Sequence, residues 1–166
     1  GARMVTHVFN GMRPLHHRDP GLLGEVLTED RLAALVILDG VHVDPVAFQM
    51  LLRCKGPEGI VLVTDSIRHH HRTWNARLTG GAYRLKSGTI AGSRLTLIGA
   101  VRNAVKFGGL PLEAAVRMAS LNPARVLGQA DRLGSLEAGK RADVIVFDKT
   151  FKVSMTFVDG NLIPRR

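Results

Sequence analysis

Two continuous apolar runs, each closed by an aspartate, constrain the fold of this chain more than any other feature. They are LAALVILDG (32–40) and GIVLVTD (59–65). Unbroken aliphatic and β-branched residues over this length are typical of strands buried on both faces, as in parallel sheets. A parallel pair needs a crossover, and a helical stretch with an Asp cap and a closing glycine lies between the runs, DPVAFQMLLRCKG (44–56). The pattern predicts an α/β fold with a parallel sheet.

The same alternation extends to both sides of these runs. A short strand is predicted in MVTHVF (4–9) and a helix with a Pro-bearing start in DPGLLGEVLTED (19–30). In the helix of 44–56, the residues at helical spacing are Val46, Met50, Leu51 and Cys54. The remaining predictions are an irregular segment (66–92) with one hairpin around AYRLKSGTIAG, helices in 93–109 and 111–128, and two or three short strands after Ala142.

Composition narrows the classes of function. The 166 residues are 45% hydrophobic with a mean hydropathy of +0.08, as in a folded globular protein. No apolar run approaches the ~20 residues that span a bilayer, no signal-peptide pattern is present, and the single Cys54 cannot form an internal disulfide. We therefore expect a cytoplasmic protein with no membrane partner.

The net charge of +9 has two explanations. Lys and Arg can attract an anionic partner, or the chain is part of a longer protein whose remainder carries the balancing acids. The basic residues are scattered and aromatic residues amount to only 5%. Nucleic-acid surfaces combine basic clusters with stacking aromatics, so we expect no nucleic-acid partner.

A polar residue stands at the carboxyl end of each predicted parallel strand. These are His7, the Asp39–His42 group and Asp65. Ligand sites of α/β folds form at this end of the sheet, because loops and helix N-termini converge there. All three positions can act as ligand, acid or base, so together they indicate a site.

The chain resembles a known family in several stretches. LGSLEAGKRADVIVFD (133–148) resembles the tail signature of the amidohydrolase superfamily of metal-dependent (β/α)8 barrels. More specific likenesses, in order and spacing, resemble the N-acetylglucosamine-6-phosphate deacetylases: THVFNGM, HHRDPG, LDGVHVD, VLVTD, GTIAGSRLTL and LPLEAAVRMASLNPARVLG. The likeness is weakest over 66–87. It implies that 1–141 form the last three strands and closing helices of a TIM-like barrel, and that 142–166 are strands of a small β-sandwich.

The resemblance also implies an activity. It is the metal-dependent hydrolysis of N-acetylglucosamine 6-phosphate to glucosamine 6-phosphate and acetate, with a divalent metal, Zn²⁺ or Fe²⁺. His7 matches one metal ligand, whereas the family's Glu and second His ligands would lie upstream of residue 1. Since a catalytic metal typically needs about three protein ligands, we expect the isolated chain to be inactive. We expect a homo-oligomer such as a dimer, or association with the missing N-terminal part.

Site residues carried over from the resemblance fall into two groups. Asp65 matches the catalytic acid/base, and His42 is expected to help polarise the acetamide carbonyl. The residues implied to bind substrate are Asn10, Gly11 and Arg18 at the phosphate, Asp39, Gly40, Val41 and His42 at the sugar, and Ile90, Ala91 and Gly92 along the pocket.

Simpler interpretations of several residues stay open. Without the family, His7 could be a structural histidine, Asp65 a helix N-cap, Asn10–Gly11 a plain turn, and Arg18 a solvated side chain. The triplet His69–His71 departs from the family, and a solvated loop is favoured over a metal site because consecutive side chains cannot all face one ion. The alternatives at the level of function are an amidohydrolase for a different amide, and a non-enzymatic basic binding fragment.

Overall fold

A parallel sheet forms the centre of the molecule. The computed structural model describes residues 1–67 and 76–164. The strands β1 (Met4–Val5), β2 (Ala33–Ile37) and β3 (Ile60–Val63) pair in that order, all parallel. Helices α1 (Gly21–Thr28) and α2 (Pro45–Lys55) connect them. The predicted α/β alternation is confirmed, although the first strand is shorter than 4–9.

Helix α2 begins and ends where the sequence predicts. The Asp44 carboxylate accepts a hydrogen bond from the Val46 amide at 2.7 Å, and Gly56 follows the helix with a φ of 62°. Its buried face, however, is formed by Phe48 and Leu51. Of the residues whose spacing predicted the helix, Val46 and Met50 are 64% and 50% exposed. Leu51, which also belongs to those residues, is fully buried, so regular spacing identified the helix and one residue of its core-facing side.

Three helices follow the strands. They are α3 (Leu97–Gly108), α4 (Leu112–Ala119) and α5 (Leu121–Val126). The predicted single helix over 111–128 is two helices, which meet at Ser120. Pro123 explains the break, because proline lacks an amide hydrogen and its ring clashes with the carbonyl four residues earlier, at the end of α4.

Two antiparallel sheets complete the fold. The first contains β4 (Arg77–Thr79), β5 (Ala82–Arg84) and β6 (Ile90–Ser93), and its β5–β6 pair is the predicted hairpin. The second contains β7 (Val144–Phe147), β8 (Val153–Val158) and β9 (Asn161–Leu162), as expected after Ala142. The division into units 1–141 and 142–166 stays a prediction.

The hydrophobic core lies between the parallel sheet and the helices. Val36, Leu38, Phe48, Leu51 and Ala104 are all fully buried there. Each large side chain of this kind contributes about 1.5–3 kcal/mol to stability by leaving water. The core packs against the face of β2 that carries Ala34 and Val36, and β2 leads directly into the candidate site. Among the described residues, no helix is long and apolar enough to cross a membrane.

Candidate active site

The three predicted strand-end residues occupy equivalent places. His7, Asp39 and Asp65 each lie two residues beyond the last residue of their strand. Ile37 and Val63 are register partners, so Asp39 and Asp65 leave the sheet at the same level. His7 and Asp65 have positive φ values of 35° and 44°. Such values are uncommon outside glycine and cluster at functional sites.

His7 is held by the turn that it starts. Its Nδ1 lies 2.9 Å from the Asn10 carbonyl oxygen, and the Asn10 amide donates to the His7 carbonyl at 2.8 Å. A carbonyl can only accept, so Nδ1 carries the proton and Nε2 is left as the free nitrogen of the neutral ring. Metal-binding histidines are commonly oriented in this way.

Asn10 and Gly11 lie close to His7. The Asn10 side-chain amide donates to the Val8 carbonyl at 3.3 Å. Gly11 has a φ of 66°, and a Cβ there would lie 3.7 Å from His7 Cε1. The left-handed backbone at Gly11 is what lets the chain turn beside the ring.

Arg18 lies in the exposed loop that precedes α1. Its guanidinium is 3.0 Å from His17 Nε2, and the His16 and His17 rings lie 4.5 Å apart. Arg13 takes the nearby carboxylate, since its Nη2 donates to Asp19 at 2.8 Å. Within the described ranges, Arg18 therefore has no carboxylate partner. Its charge is available to an anion.

Asp39 and His42 form a nearly buried pair. Asp39 Oδ2 lies 2.7 Å from His42 Nδ1, and the two side chains are 8% and 5% exposed. Asp39 Oδ1 accepts from the amides of Val41 and His42, each at 2.8 Å. Both carboxylate oxygens are thus engaged by the segment that follows β2. Gly40 between them has a φ of 79°.

Asp65 is exposed and its backbone is anchored by β6. The Ser93 amide donates to the Asp65 carbonyl at 3.1 Å, and the buried Ser93 hydroxyl donates to the Thr64 carbonyl. In the part of the chain that the structure describes, the Asp65 carboxylate has no hydrogen bond or ion pair.

The predicted pocket segment Ile90–Gly92 lies beside Asp65. A Cβ at Gly92 would come within 3.2 Å of the Asp65 carbonyl oxygen and 2.8 Å of Ile67 Cγ2. Only glycine fits this close approach. The structure thus brings together three groups along one edge of the sheet: His7 with Asn10 and Gly11, Asp39 with His42, and Asp65 with 90–93. Arg18 belongs to none of these groups.

Sequence reasoning missed two residues that support this edge. Ser93 fixes the peptides of Thr64 and Asp65, as described above. Asn103 of α3 is 7% exposed, and its amide donates to the carbonyl of buried Leu38 at 2.8 Å. A lone asparagine on the buried face of an apolar helix was the available signal, because a buried amide needs a partner.

The groups with shifted pKa values lie outside this edge. A hydrogen bond from Arg31 lowers the pKa of the Glu29 carboxyl to about 2. The pKa values of Glu137, Asp143 and Asp148 are lowered mainly by hydrogen bonds from the Ser135 side chain, the Asp159 amide and the Thr150 side chain, respectively. These hydrogen bonds stabilise loops and turns rather than the candidate site.

The described residues supply part of a metal site at most. They contain no group of three or more His, Cys, Asp or Glu side chains that could hold an ion. His7 nevertheless has the chemistry of one ligand, because its Nδ1 is engaged and its Nε2 is free. The triplet His69–His71 lies outside the described residues.

Comparison with known proteins places these features in a family. The model of the amidohydrolase family matches residues 26–163. The N-acetylgalactosamine-6-phosphate deacetylase of Escherichia coli O157:H7 is 41% identical, over 98% of this chain and 45% of that protein. A putative enzyme of the same name from Escherichia coli K12 is also 41% identical, over 94% of this chain and 98% of that protein.

A solved structure agrees with the sequence relatives. The N-acetylglucosamine-6-phosphate deacetylase of Thermotoga maritima superposes with a TM-score of 0.89 at 34% identity, over 99% of this chain and 47% of that chain. The chain thus spans about half the length of most of the deacetylases that it matches. Its polar sheet edge lies within the matched region.

Proposed function

The chain belongs to the amidohydrolase family, and from this premise we propose that it forms one side of the active site of an N-acetyl amino-sugar 6-phosphate deacetylase. One observation carries the proposal. His7, His42 and Asp65 follow the carboxyl ends of three adjacent parallel strands, in a chain that is similar to deacetylases over nearly its whole length. The carboxyl ends of strands are where barrel enzymes build their sites.

The proposed architecture is a partial barrel. β1 to β3 and helices α1 to α5 would be the last three strands and the closing helices of a metal-dependent (β/α)8 barrel, and 142–166 would belong to a small β-sandwich. Three strands cannot close a barrel. The remaining strands would come from outside these residues, either from an N-terminal part or within a homo-oligomer. We propose the cytoplasm as the location.

The family implies a divalent metal, and we propose Zn²⁺, with Fe²⁺ as the alternative. His7 would bind it through Nε2, with further ligands from beyond the described residues. When bound, such an ion activates a water molecule and polarises the amide carbonyl.

Asp65 would be the general acid and base. As the water oxygen bonds to the acetamide carbon, the Asp65 carboxylate accepts the water proton, and it returns the proton to nitrogen as the C–N bond breaks. The products are acetate and the free amino sugar. The absence of any competing partner on this carboxylate within the described residues supports the role.

The other residues would bind the substrate. His42 would contact the acetamide through Nε2. Arg18 would bind the phosphate, because a guanidinium without a carboxylate partner matches a phosphate with two parallel hydrogen bonds. Asn10 and Gly11 would add amide donors beside it. The sugar pocket would be completed by Gly40, Val41, Ile90, Ala91 and Gly92, and Asp39 would lie behind His42.

The sugar itself has two candidates. N-acetylglucosamine 6-phosphate is the first, as in the name of the Thermotoga maritima structure. The galactose epimer is the second, since both Escherichia coli relatives at 41% identity carry that name. The epimers differ only in the orientation of one hydroxyl group, so an enzyme can accept either.

The test measures acetate release by the purified chain with Zn²⁺ or Fe²⁺, on both phosphorylated sugars and on unphosphorylated N-acetylglucosamine. We expect the chain alone to be inactive. We expect activity from a chimera in which the chain replaces the matched 47% of the Thermotoga maritima enzyme. Asp65→Asn in that chimera should abolish turnover, whereas Asp131→Asn, at an exposed position away from the site, should not. A chimera that remains active with Asp65→Asn contradicts the proposal.

Phosphate recognition has its own control. In the chimera, Arg18→Ala should raise KM for the phosphorylated sugar and leave KM for the unphosphorylated sugar unchanged, and Arg125→Ala should change neither. Equal effects of Arg18→Ala on both substrates would instead favour an amidohydrolase for a different amide.

A further inference from the structure

The two oxygens of the Asp39 carboxylate are not equivalent. Oδ1 accepts from two backbone amides, those of Val41 and His42, at 2.8 Å each. Oδ2 faces His42 Nδ1 at 2.7 Å. Backbone amides can only donate, so the position of Oδ1 requires an acceptor. The backbone therefore determines which end of this side chain faces the histidine.

We propose that Asp39 is a positioning residue for His42 and makes no direct contact with the sugar. Its Oδ2 keeps a proton on Nδ1 of the ring, and this leaves Nε2 as the ring nitrogen that does not face Asp39. The engagement of both carboxylate oxygens supports this assignment, because Oδ1 already accepts from two amides and Oδ2 faces the ring. The role of His42 toward a substrate rests on the proposed function, whereas its tautomer does not.

Helix α3 contacts the backbone on both sides of Asp39. Asn103 donates to the carbonyl of Leu38, the residue before Asp39, at 2.8 Å. At Gly40, a Cβ would lie 3.5 Å from the Phe107 ring, so α3 packs directly beneath the turn. The carboxylate is thus held in place from the backbone side, and the ring is oriented by the carboxylate.

The assignment has a chemical consequence for His42. With the proton on Nδ1, the neutral ring has a lone pair at Nε2 and accepts a hydrogen bond there. The ring can donate a hydrogen bond from Nε2 only when both of its nitrogens carry a proton. The Asp39 carboxylate then balances the positive charge of this imidazolium. Polarisation of an acetamide carbonyl by His42 would therefore use the protonated ring, and the neutral ring would bind a substrate hydroxyl instead.

Asp39→Asn is the informative substitution. The two backbone amides require the side-chain oxygen of the new asparagine at the Oδ1 position, which turns its NH2 group toward His42. An NH2 group donates, so His42 Nδ1 must accept and the ring proton must move to Nε2. A residue that acted only on stability would leave the tautomer unchanged.

The experiment is nitrogen-15 NMR of the histidine rings in the full chain, at alkaline pH, where imidazoles are neutral. The chain has 7 histidines, and the His42 signals are assigned by their loss in His42→Gln. We expect Nδ1 to be protonated in the unsubstituted chain and Nε2 to be protonated in Asp39→Asn. Asp44→Asn is the matched control, because Asp44 caps α2 two residues away and should leave His42 unchanged.

Two results would overturn the proposal. The first is a proton on Nε2 of His42 in the unsubstituted chain, which needs no variant to be folded. The second is an Asp39→Asn protein that is folded, as judged by its other resonances, and keeps the proton on Nδ1. Neither result depends on catalysis, so an inactive chain leaves this test intact.

Discussion

The carboxyl edge of the parallel sheet and the C-terminal sheet both contain residues other than glycine with positive φ. At the sheet edge they include His7 and Asp65, with φ of 35° and 44°. In the C-terminal sheet Asp159 has a φ of 51° and is followed by Gly160 at 78°, between paired strands β8 and β9. Two consecutive positive φ values are what a two-residue type I′ hairpin requires. No such turn explains His7 or Asp65.

The two regions also differ in the burial of their side chains. At the sheet edge, buried Ser93 and Asn103 hold the peptides next to Asp65 and Asp39. Six large apolar side chains in or next to the C-terminal sheet are exposed, namely Ile145, Val146, Met155, Val158, Leu162 and Ile163. Polar groups at the sheet edge are therefore positioned by buried residues of the core, whereas the strands of the C-terminal sheet are positioned by local turns.

We expect the largest difference in stability between the two regions when one leucine of each is replaced by alanine. Leu38→Ala should lower the free energy of unfolding by about 2–5 kcal/mol, because Leu38 is fully buried and the substitution leaves a cavity. Leu162→Ala should change it by less than about 0.5 kcal/mol, since Leu162 is 58% exposed. Urea denaturation measures both, and equal losses would contradict the comparison.

A second pair of substitutions removes one amide from each region. Asn103→Ala should lower the free energy of unfolding by about 1–3 kcal/mol, because the buried Leu38 carbonyl loses its partner. Denaturant unfolding measures the change. Asn161→Ala removes an exposed hydrogen bond to the Asp159 carbonyl and should be close to neutral. A neutral Asn103→Ala would mean that the helix does not hold the residue before Asp39.

Substitutions of Ser93 and Ser154, one serine from each region, test how the backbone of Asp65 is anchored. Ser93→Ala should lower the free energy of unfolding by about 1 kcal/mol, since it removes the hydrogen bonds of one hydroxyl. It should also speed hydrogen exchange at the Ser93 amide, which donates to Asp65. Ser154→Ala removes an exposed hydroxyl that donates to Val146 in the C-terminal sheet, and should leave that exchange rate unchanged. Unaltered exchange in Ser93→Ala would show that β6 holds Asp65 without the hydroxyl.

The smallest expected effect is a change in the pKa of Asp148, in the turn after β7. The Thr150 hydroxyl, with the amides of Lys152 and Thr150, lowers the pKa of Asp148 below its ordinary value of 3.8. A carboxyl with a lowered folded-state pKa stabilises the fold above the unfolded value of 3.8, and this contribution is lost as the pH falls through the folded value. Thr150→Val should raise the pKa of Asp148 toward 3.8 in an NMR titration. Thr156→Val in β8 should not move it.

Much of the fold could be predicted from local patterns. The runs that form β2 and β3 are recognisable from their unbroken apolar residues, and the Asp44 cap of α2 and the Asp159–Gly160 turn rely on interactions between neighbouring residues. The break at Ser120 was missed, although Pro123 was visible in the sequence, because the apolar spacing continues across it. The buried face of α2 was only partly predictable from spacing, because it depends on what packs against the helix.

The sequence by itself determined the order of strands and helices and the polar residues that close the parallel strands. These follow from side-chain periodicity and from the chemistry of each residue. Only the tertiary structure decided which atoms of those residues stay free. Asp39 is engaged by the backbone of residues 41 and 42, Nδ1 of both His7 and His42 is held, and the Asp65 carboxylate has no partner within the described residues. These contacts lie within three residues along the chain, but the peptides at or beside Asp65 and Asp39 are held by Ser93 and Asn103, which are distant in the chain and become neighbours only when the core packs.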